Sequence, residues 1–237
     1  MFFDMTYIYI VLPAVVLALW ASSKVKSTFR RYSKQYSSTH LTGAQAAARI
    51  LSANGVTDVR VERVQGSLTD NFDPKANVIH LSQDVYDSYS TAAIGVAAHE
   101  AGHVLQYADN YAPIRLRAAI IPATNIGSRL AMPLIIIGLI LSYMSRTYLQ
   151  MGLTIAYAGL ICFALCALFQ LVTLPVEFNA SRRALQAIES QGLLNSAELE
   201  GSRKVLSAAA MTYVAALAVT LAQLLRFMLL ISGSRRN

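Results

Sequence analysis

The sequence predicts a mainly α, multi-pass membrane protein with about four transmembrane helices and a small α+β region. Three observations predict it. Hydrophobic residues make up 55 % of the 237 positions and gather in four tracts, at 6–22, 130–143, 151–176 and 205–231. A long polar stretch between the first two tracts carries alternating helix and strand patterns. Within that stretch lies His99-Glu100-Ala101-Gly102-His103, an H-E-x-x-H pattern in a segment that reads as helix.

A membrane span needs about 20 mostly apolar residues. The third and fourth tracts meet that easily, and the first is marginal in length but nearly free of charge. The second is short alone; the apolar stretch at 118–121 could lengthen it, and a buried or re-entrant helix is the alternative. The first tract is a poor secretory signal, with Asp4 in place of a basic leader and Trp20-Ala21-Ser22 in place of a cleavage site. It reads as a retained anchor. Lys24, Lys26, Arg30, Arg31 and Lys34 come directly after it, and basic flanks stay on the cytoplasmic side. Arg182, Arg183, Arg203 and Lys204 then fall on that same side, which outvotes Arg235 and Arg236.

The expected organisation is therefore an anchor at 1–23, a cytoplasmic metal-site region at 24–129, a transmembrane hairpin at 130–176, a second cytoplasmic segment at 177–204 and a final span at 205–237. This is a multi-pass protein of the inner (plasma) membrane with its site on the cytoplasmic side. The net charge of +7 fits membrane-flanking residues and anionic lipid, and no basic strip with interleaved aromatics points to nucleic acid. Cys162 and Cys166, one helical turn apart in an apolar tract, read as packing residues. Gln223 and Arg226 interrupt the last tract; such a charge is a functional candidate, with snorkelling towards the outer interface the favoured reading.

In the polar region, Thr42 is a helix N-cap and Gly55 a helix stop. Val59 and Val61 alternate with charged residues as in a strand, and 77–82 reads as a second strand. The segment 66–75 between them, with Asp70-Asn71-Phe72-Asp73-Pro74, reads as a loop, so the two strands are expected to form a small β-hairpin. The strand at 77–82 is a candidate edge for an added peptide, which proline at Val78 or His80 would disrupt. Ser88 or Ser90 caps the next helix, which ends near Asp109 or Asn110. Pro113 and Pro122 punctuate the chain beyond it, and Pro175 begins or kinks another helix.

The chemistry centres on that H-E-x-x-H helix. Residues i and i+4 share a helix face, so His99 and His103 can present two imidazoles to one tetrahedral zinc ion. Glu100, one residue on, points beside the metal and can take a proton from the attacking water. No other charge lies between Thr91 and Ala108, and burying two histidines and a glutamate without a partner is costly. A catalytic zinc takes a third protein ligand. Glu177, the only acid between Asp109 and Glu189, falls on the same expected side of the membrane as His99. Its alternative role is a carboxylate at a helix N-terminus.

With these residues in place, the chain resembles the YugP-like family of membrane zinc metallopeptidases, of glutamate-zincin type and similar in layout to the HtpX and CAAX-processing membrane peptidases. The matching runs include Leu41-Thr42-Gly43, Leu68-Thr69-Asp70, Asp73-Pro74, Ala97 through His103, Val176-Glu177-Phe178-Asn179-Ala180-Ser181 and Val205 through Ala210. They cover nearly the whole chain. The resemblance implies a zincin-like region and zinc-dependent hydrolysis of peptide bonds at the membrane. Two departures stand out. Many glutamate-zincins carry an aspartate four residues after the third ligand to orient the first histidine; here that residue is Ser181, with Asn179 another candidate helper. Where the family often has Asp-His-Tyr before the aspartate at 73, this chain has Asp70-Asn71-Phe72.

The expected activity is a zinc-dependent endopeptidase with one Zn²⁺, Glu100 as base, and protein or peptide substrates in or near the bilayer. His80, Tyr107, Arg182 and Arg183 are oxyanion candidates, each with a structural role as its alternative. The competing reading is a catalytically silent zinc-binding membrane scaffold. A membrane-protein partner or a homo-oligomer is compatible with either.

Overall fold

The computed structural model describes residues 5–234, so Asp4, Arg235 and Arg236 fall outside the description. A π-helical turn, Tyr7–Val11, runs into helix α1, Leu12–Tyr32. There follow α2 Gly43–Ala53, β1 Arg60–Val64, β2 Asn71–Asp73, β3 Val78–Ser82, α3 Gln83–Tyr86, α4 Thr91–Ala108, α5 Ala112–Met144, α6 Arg146–Ser190 and α7 Ser196–Ser234. Among the described residues, four helices are long and apolar enough to cross a membrane: Tyr7–Tyr32, Ala112–Met144, Arg146–Ser190 and Ser196–Gly233. The second apolar tract is thus part of one 33-residue helix, with Pro122 and Pro133 inside it, and Pro175 lies within α6. These prolines each remove one backbone donor without ending the helix.

The contacts divide the chain into two compact units. The first comprises Met1–Trp20, Leu116–Leu174 and Tyr213–Asn237; the second comprises Ala21–Arg115 and Pro175–Thr212.

In the first unit small residues let helices meet backbone to backbone. A side chain on Gly159 would lie 2.8 Å from the Ile135 amide nitrogen and 2.9 Å from the Ala131 carbonyl oxygen, and one on Gly138 would strike the Ala156 amide. Such contacts hold membrane helices together where water supplies no hydrophobic drive. Ile135, Leu139, Leu153, Ala156, Phe227 and Ile231 form the buried cluster of this unit. Arg226 is only 5 % exposed, its guanidinium over the rings of Tyr7 and Phe227. It packs inside the unit rather than snorkelling out of it.

The second unit holds the sheet and α4. α2 starts with a capping box, in which Thr42 Oγ1 accepts from the Gln45 amide and the Gln45 side chain accepts from the Thr42 amide. The sheet corrects the expected hairpin. Its order is β1-β3-β2, with β1 parallel to β3 and β2 antiparallel to it. The two strands legible in the sequence run parallel because the segment between them supplies β2 and the reversal. The hairpin is β2–β3. Asp73 Oδ1 turns it by accepting from the amides of Lys75 (2.8 Å) and Ala76, and Asn77 takes φ 52°. β3 is therefore central and paired on both sides, so it offers no free edge; β2 does. Asp70, just before β2, accepts from the amide and hydroxyl of Ser82 at 2.7 and 3.0 Å, tying the loop to the end of β3.

Helix α4 is capped by Ser90, whose Oγ accepts from the Ala93 amide at 3.2 Å. It is apolar on nearly every side and buried accordingly, packing Ile94, Ala97, Ala98 and Ala101 with Ile50 of α2, Ile79 and Leu81 of β3 and Ile188 of α6.

Because the backbone at Gly138 leaves no room for a methyl group, Gly138→Ala lowers the thermal midpoint of the detergent-solubilised protein by an amount matching about 1–3 kcal/mol of overpacking. Gly233→Ala, with nothing within 4 Å, leaves it unchanged.

Candidate metal centre

α4 and α6 approach closely at one point. A side chain on Gly102 would sit 2.6 Å from the Ala180 carbonyl oxygen, so only glycine permits this contact. The contact brings the H-E-x-x-H face of α4 against the segment Val176 to Ser181 of α6. His99 Nε2 lies 3.3 Å from Glu177 Oε2, and His103 Nε2 lies 3.6 Å from the same oxygen. The two imidazoles stand nearly perpendicular, 83° between planes. The ligand atoms of His99, His103 and Glu177 all fall within 4.8 Å of one another, the one such cluster found among the described residues.

This donor set fits zinc. With Zn–N and Zn–O bonds of about 2.0–2.2 Å, the donors of a tetrahedral site stand about 3.3–3.6 Å apart, the spacing of the two histidine–glutamate contacts. The rear nitrogens are engaged as well, which leaves Nε2 of each ring facing the cluster. Ser181 Oγ is 3.1 Å from His99 Nδ1, so the residue standing where many glutamate-zincins carry aspartate does reach the first histidine. His103 Nδ1 is 3.0 Å from Gln106 Oε1. Gln106, fully buried, also donates to the Val176 carbonyl at 2.8 Å and to Asn179 Oδ1 at 3.0 Å. Asn179 thus reaches the centre through Gln106. Sequence reasoning missed Gln106; its one signal was position, three residues after His103 on the same helix face.

Of the oxyanion candidates, Arg183 is committed elsewhere. Its Nε donates to Asn179 Oδ1 at 2.8 Å, and its Nη1 pairs with Asp109. Tyr107 packs edge-on against Phe72 of β2, and Arg182 is exposed. His80 is part-buried in β3 opposite Glu62 and Asn71, with Nδ1 enclosed and lacking a hydrogen-bond partner; it is not among the clustered ligands.

Burial sets the charge states. Glu100 is 7 % exposed, and desolvation pushes its carboxyl above the usual range although His99 and His103 pull it back. Burial draws the His103 imidazole down, but its contact with Glu177 and the charges of Glu100 and Glu177 outweigh that, so it is raised overall.

Four helices long and apolar enough to cross a membrane thus accompany a two-histidine, one-glutamate cluster that could hold a metal ion on an H-E-x-x-H helix. Residues 7–232 match the family described as "Putative neutral zinc metallopeptidase", and the chain belongs to that family. It is 46 % identical over 231 residues to the "Putative membrane protease YugP" of Bacillus subtilis (strain 168), covering 98 % of this chain and 99 % of that protein. No solved structure matches it.

The geometry yields two expected outcomes. Gly102→Ala forces α4 and α6 apart and weakens zinc binding in a chelator competition, with Gly233→Ala, which meets no neighbour within 4 Å, as the control for a general effect of alanine. Zinc must also displace the proton that His103 retains. Its affinity therefore falls by about tenfold per pH unit below the raised His103 value and levels off above it; titrations across pH with a competing chelator measure the slope.

Proposed function

We propose that the protein is a membrane-embedded zinc endopeptidase acting on membrane or membrane-proximal polypeptides. The observation that carries this reading is the convergence of His99, His103 and Glu177 beside a buried acid, Glu100, that is not one of the three clustered ligands. A structural zinc site fills all four positions with protein ligands and has no use for a base alongside.

A zinc ion held by His99, His103 and Glu177 supplies Lewis acidity, polarising a carbonyl and acidifying a water beside it. Glu100 takes the proton from the attacking water as the oxygen bonds to the carbonyl carbon. It then delivers that proton to the amide nitrogen as the C–N bond breaks, and returns to its starting state. Burial raises its pKa above the usual carboxylate range, which makes it a better proton acceptor than an exposed carboxylate and leaves it able to release the proton to the leaving nitrogen. Ser181 and Gln106 hold the two imidazoles while this happens.

β2 is the edge of the sheet beside α4, with Phe72 against Tyr107. An extended substrate adds along Asn71–Asp73, where backbone groups bind it irrespective of sequence. The basic flank after the first apolar tract supports a cytoplasmic placement of 24–129 and 177–204, with spans at 1–23, 130–176 and 205–237 in the inner (plasma) membrane. In that arrangement the centre meets protein termini and loops at the inner face.

The test compares purified parent with Glu100→Gln. The parent hydrolyses peptides and binds about one zinc. The variant keeps its zinc and loses about 100- to 10,000-fold in turnover. Zinc in both with hydrolysis in neither across a broad peptide set would favour the catalytically silent scaffold, and a parent that binds no divalent metal would overturn the ligand assignment.

A further inference from the structure

An amide side chain can present either its oxygen or its nitrogen to a neighbour, so whatever fixes Gln106 decides which atom His103 meets. Two fixed points lie at the ends of the chain of contacts. The Val176 carbonyl oxygen can only accept, and it lies 2.8 Å from Gln106. The Arg183 guanidinium can only donate, and its Nε lies 2.8 Å from the Asn179 amide. Arg183 therefore turns the Asn179 oxygen towards both itself and Gln106. Facing two acceptors, Val176 and Asn179, Gln106 must present its NH₂ to them. Its oxygen is then the atom 3.0 Å from His103 Nδ1. That oxygen requires a hydrogen on Nδ1, and the neutral imidazole is left with its lone pair on Nε2, the nitrogen that lies 3.6 Å from Glu177.

We propose that Gln106 is the positioning residue of the metal centre, its amide locked by Val176, Asn179 and Arg183 so that His103 is held as the tautomer that offers Nε2 to the metal. This rests on the ligand set of the proposed function and names the residue that sets one ligand. Gln106 does more than a packing residue would. It is fully buried and hydrogen-bonds at both ends of its amide, tying α4 to the α6 segment that carries Glu177. It also connects the centre to Asp109 at the end of α4, through Arg183 and Asn179. His99 has a looser arrangement, since the Ser181 hydroxyl can rotate to donate or accept.

The test uses the full chain in detergent and measures zinc affinity by chelator competition for the parent, Gln106→Met, Gln106→Glu and His103→Ala. Both Gln106 variants lose the bonds donated to Val176 and Asn179, so that loss is common to them; only glutamate keeps an acceptor for His103. Zinc binding is expected to weaken about 10- to 100-fold in Gln106→Met and to return close to the parent in Gln106→Glu. The absorption bands of the cobalt-substituted protein should shift in the first variant and not in the second. Equal weakening in both variants, or in neither, overturns the proposal while loss of zinc from His103→Ala keeps the underlying ligand set intact. Zinc retained in His103→Ala overturns both. Should Gln106→Met not fold, ¹⁵N resonances of the zinc-loaded parent decide: a proton on His103 Nδ1 supports the assignment, and a proton on Nε2 overturns it.

Discussion

The close approach of α4 and α6 at Gly102 is the constraint on which the second unit depends. With the Ala180 carbonyl 2.6 Å from where a Cβ would stand, the two backbones meet at glycine or do not meet at this distance. The approach decides whether Glu177 reaches His99 and His103, whether Ser181 reaches His99, and whether Gln106 reaches Val176 and Asn179. Glycine in the fourth position of H-E-x-x-H thus helps to shape the cluster that could hold a metal, although it offers no ligand atom itself. A few tenths of an ångström of separation would be enough to spoil contacts that depend on hydrogen-bond distances.

The centre also concentrates ionisable groups in a place that disfavours charge. Glu100, His103 and Glu177 are all buried, and His99 is nearly so. Without a cation, the cluster has to hold protons to remain neutral, and the raised pKa values of Glu100 and His103 are that response. A divalent ion held by His99, His103 and Glu177 would replace the protons with a charge that the three side chains share. The network behind the ligands consists of neutral amides and a hydroxyl, with the one guanidinium, Arg183, placed at its outer end beside Asp109. The one cation of the network is therefore kept away from the clustered His99, His103 and Glu177, and amide dipoles carry the orientation inward.

The first unit is built on a different principle. Its glycines at 138, 152 and 159 bring α5 and α6 together so closely that side chains there would meet backbone atoms. Packing of this kind gives rigidity where hydrophobic drive is absent. Arg226 is the one charged residue among the described residues that α7 contributes to this unit, and its burial between aromatic rings shows how the unit accommodates a cation in an apolar setting.

Much of the fold was legible in the sequence because its signals are local. The apolar tracts marked the four candidate spanning helices, Thr42 and the choice of Ser88 or Ser90 marked helix starts, and the spacing of His99 and His103 placed two imidazoles on one face whatever the rest of the chain did. Glu177 could be singled out by scarcity of acids, whereas Ser181 and Asn179 came forward only through the resemblance to glutamate-zincins. The strand pairing could not be read. β2 is three residues with no alternation long enough to register, and its presence turns an expected antiparallel pair into a parallel one with β3 in the centre. Gln106 was equally invisible, since a glutamine on a buried helix is unusual but names no partner. Its role depends on a carbonyl and an amide some seventy residues away, joined to it by hydrogen bonds across two helices. That two histidines share one face is thus written in the chain itself, because helical periodicity puts them there. How they are aimed is a property of the folded molecule alone, because aim comes from contacts between segments distant in the chain.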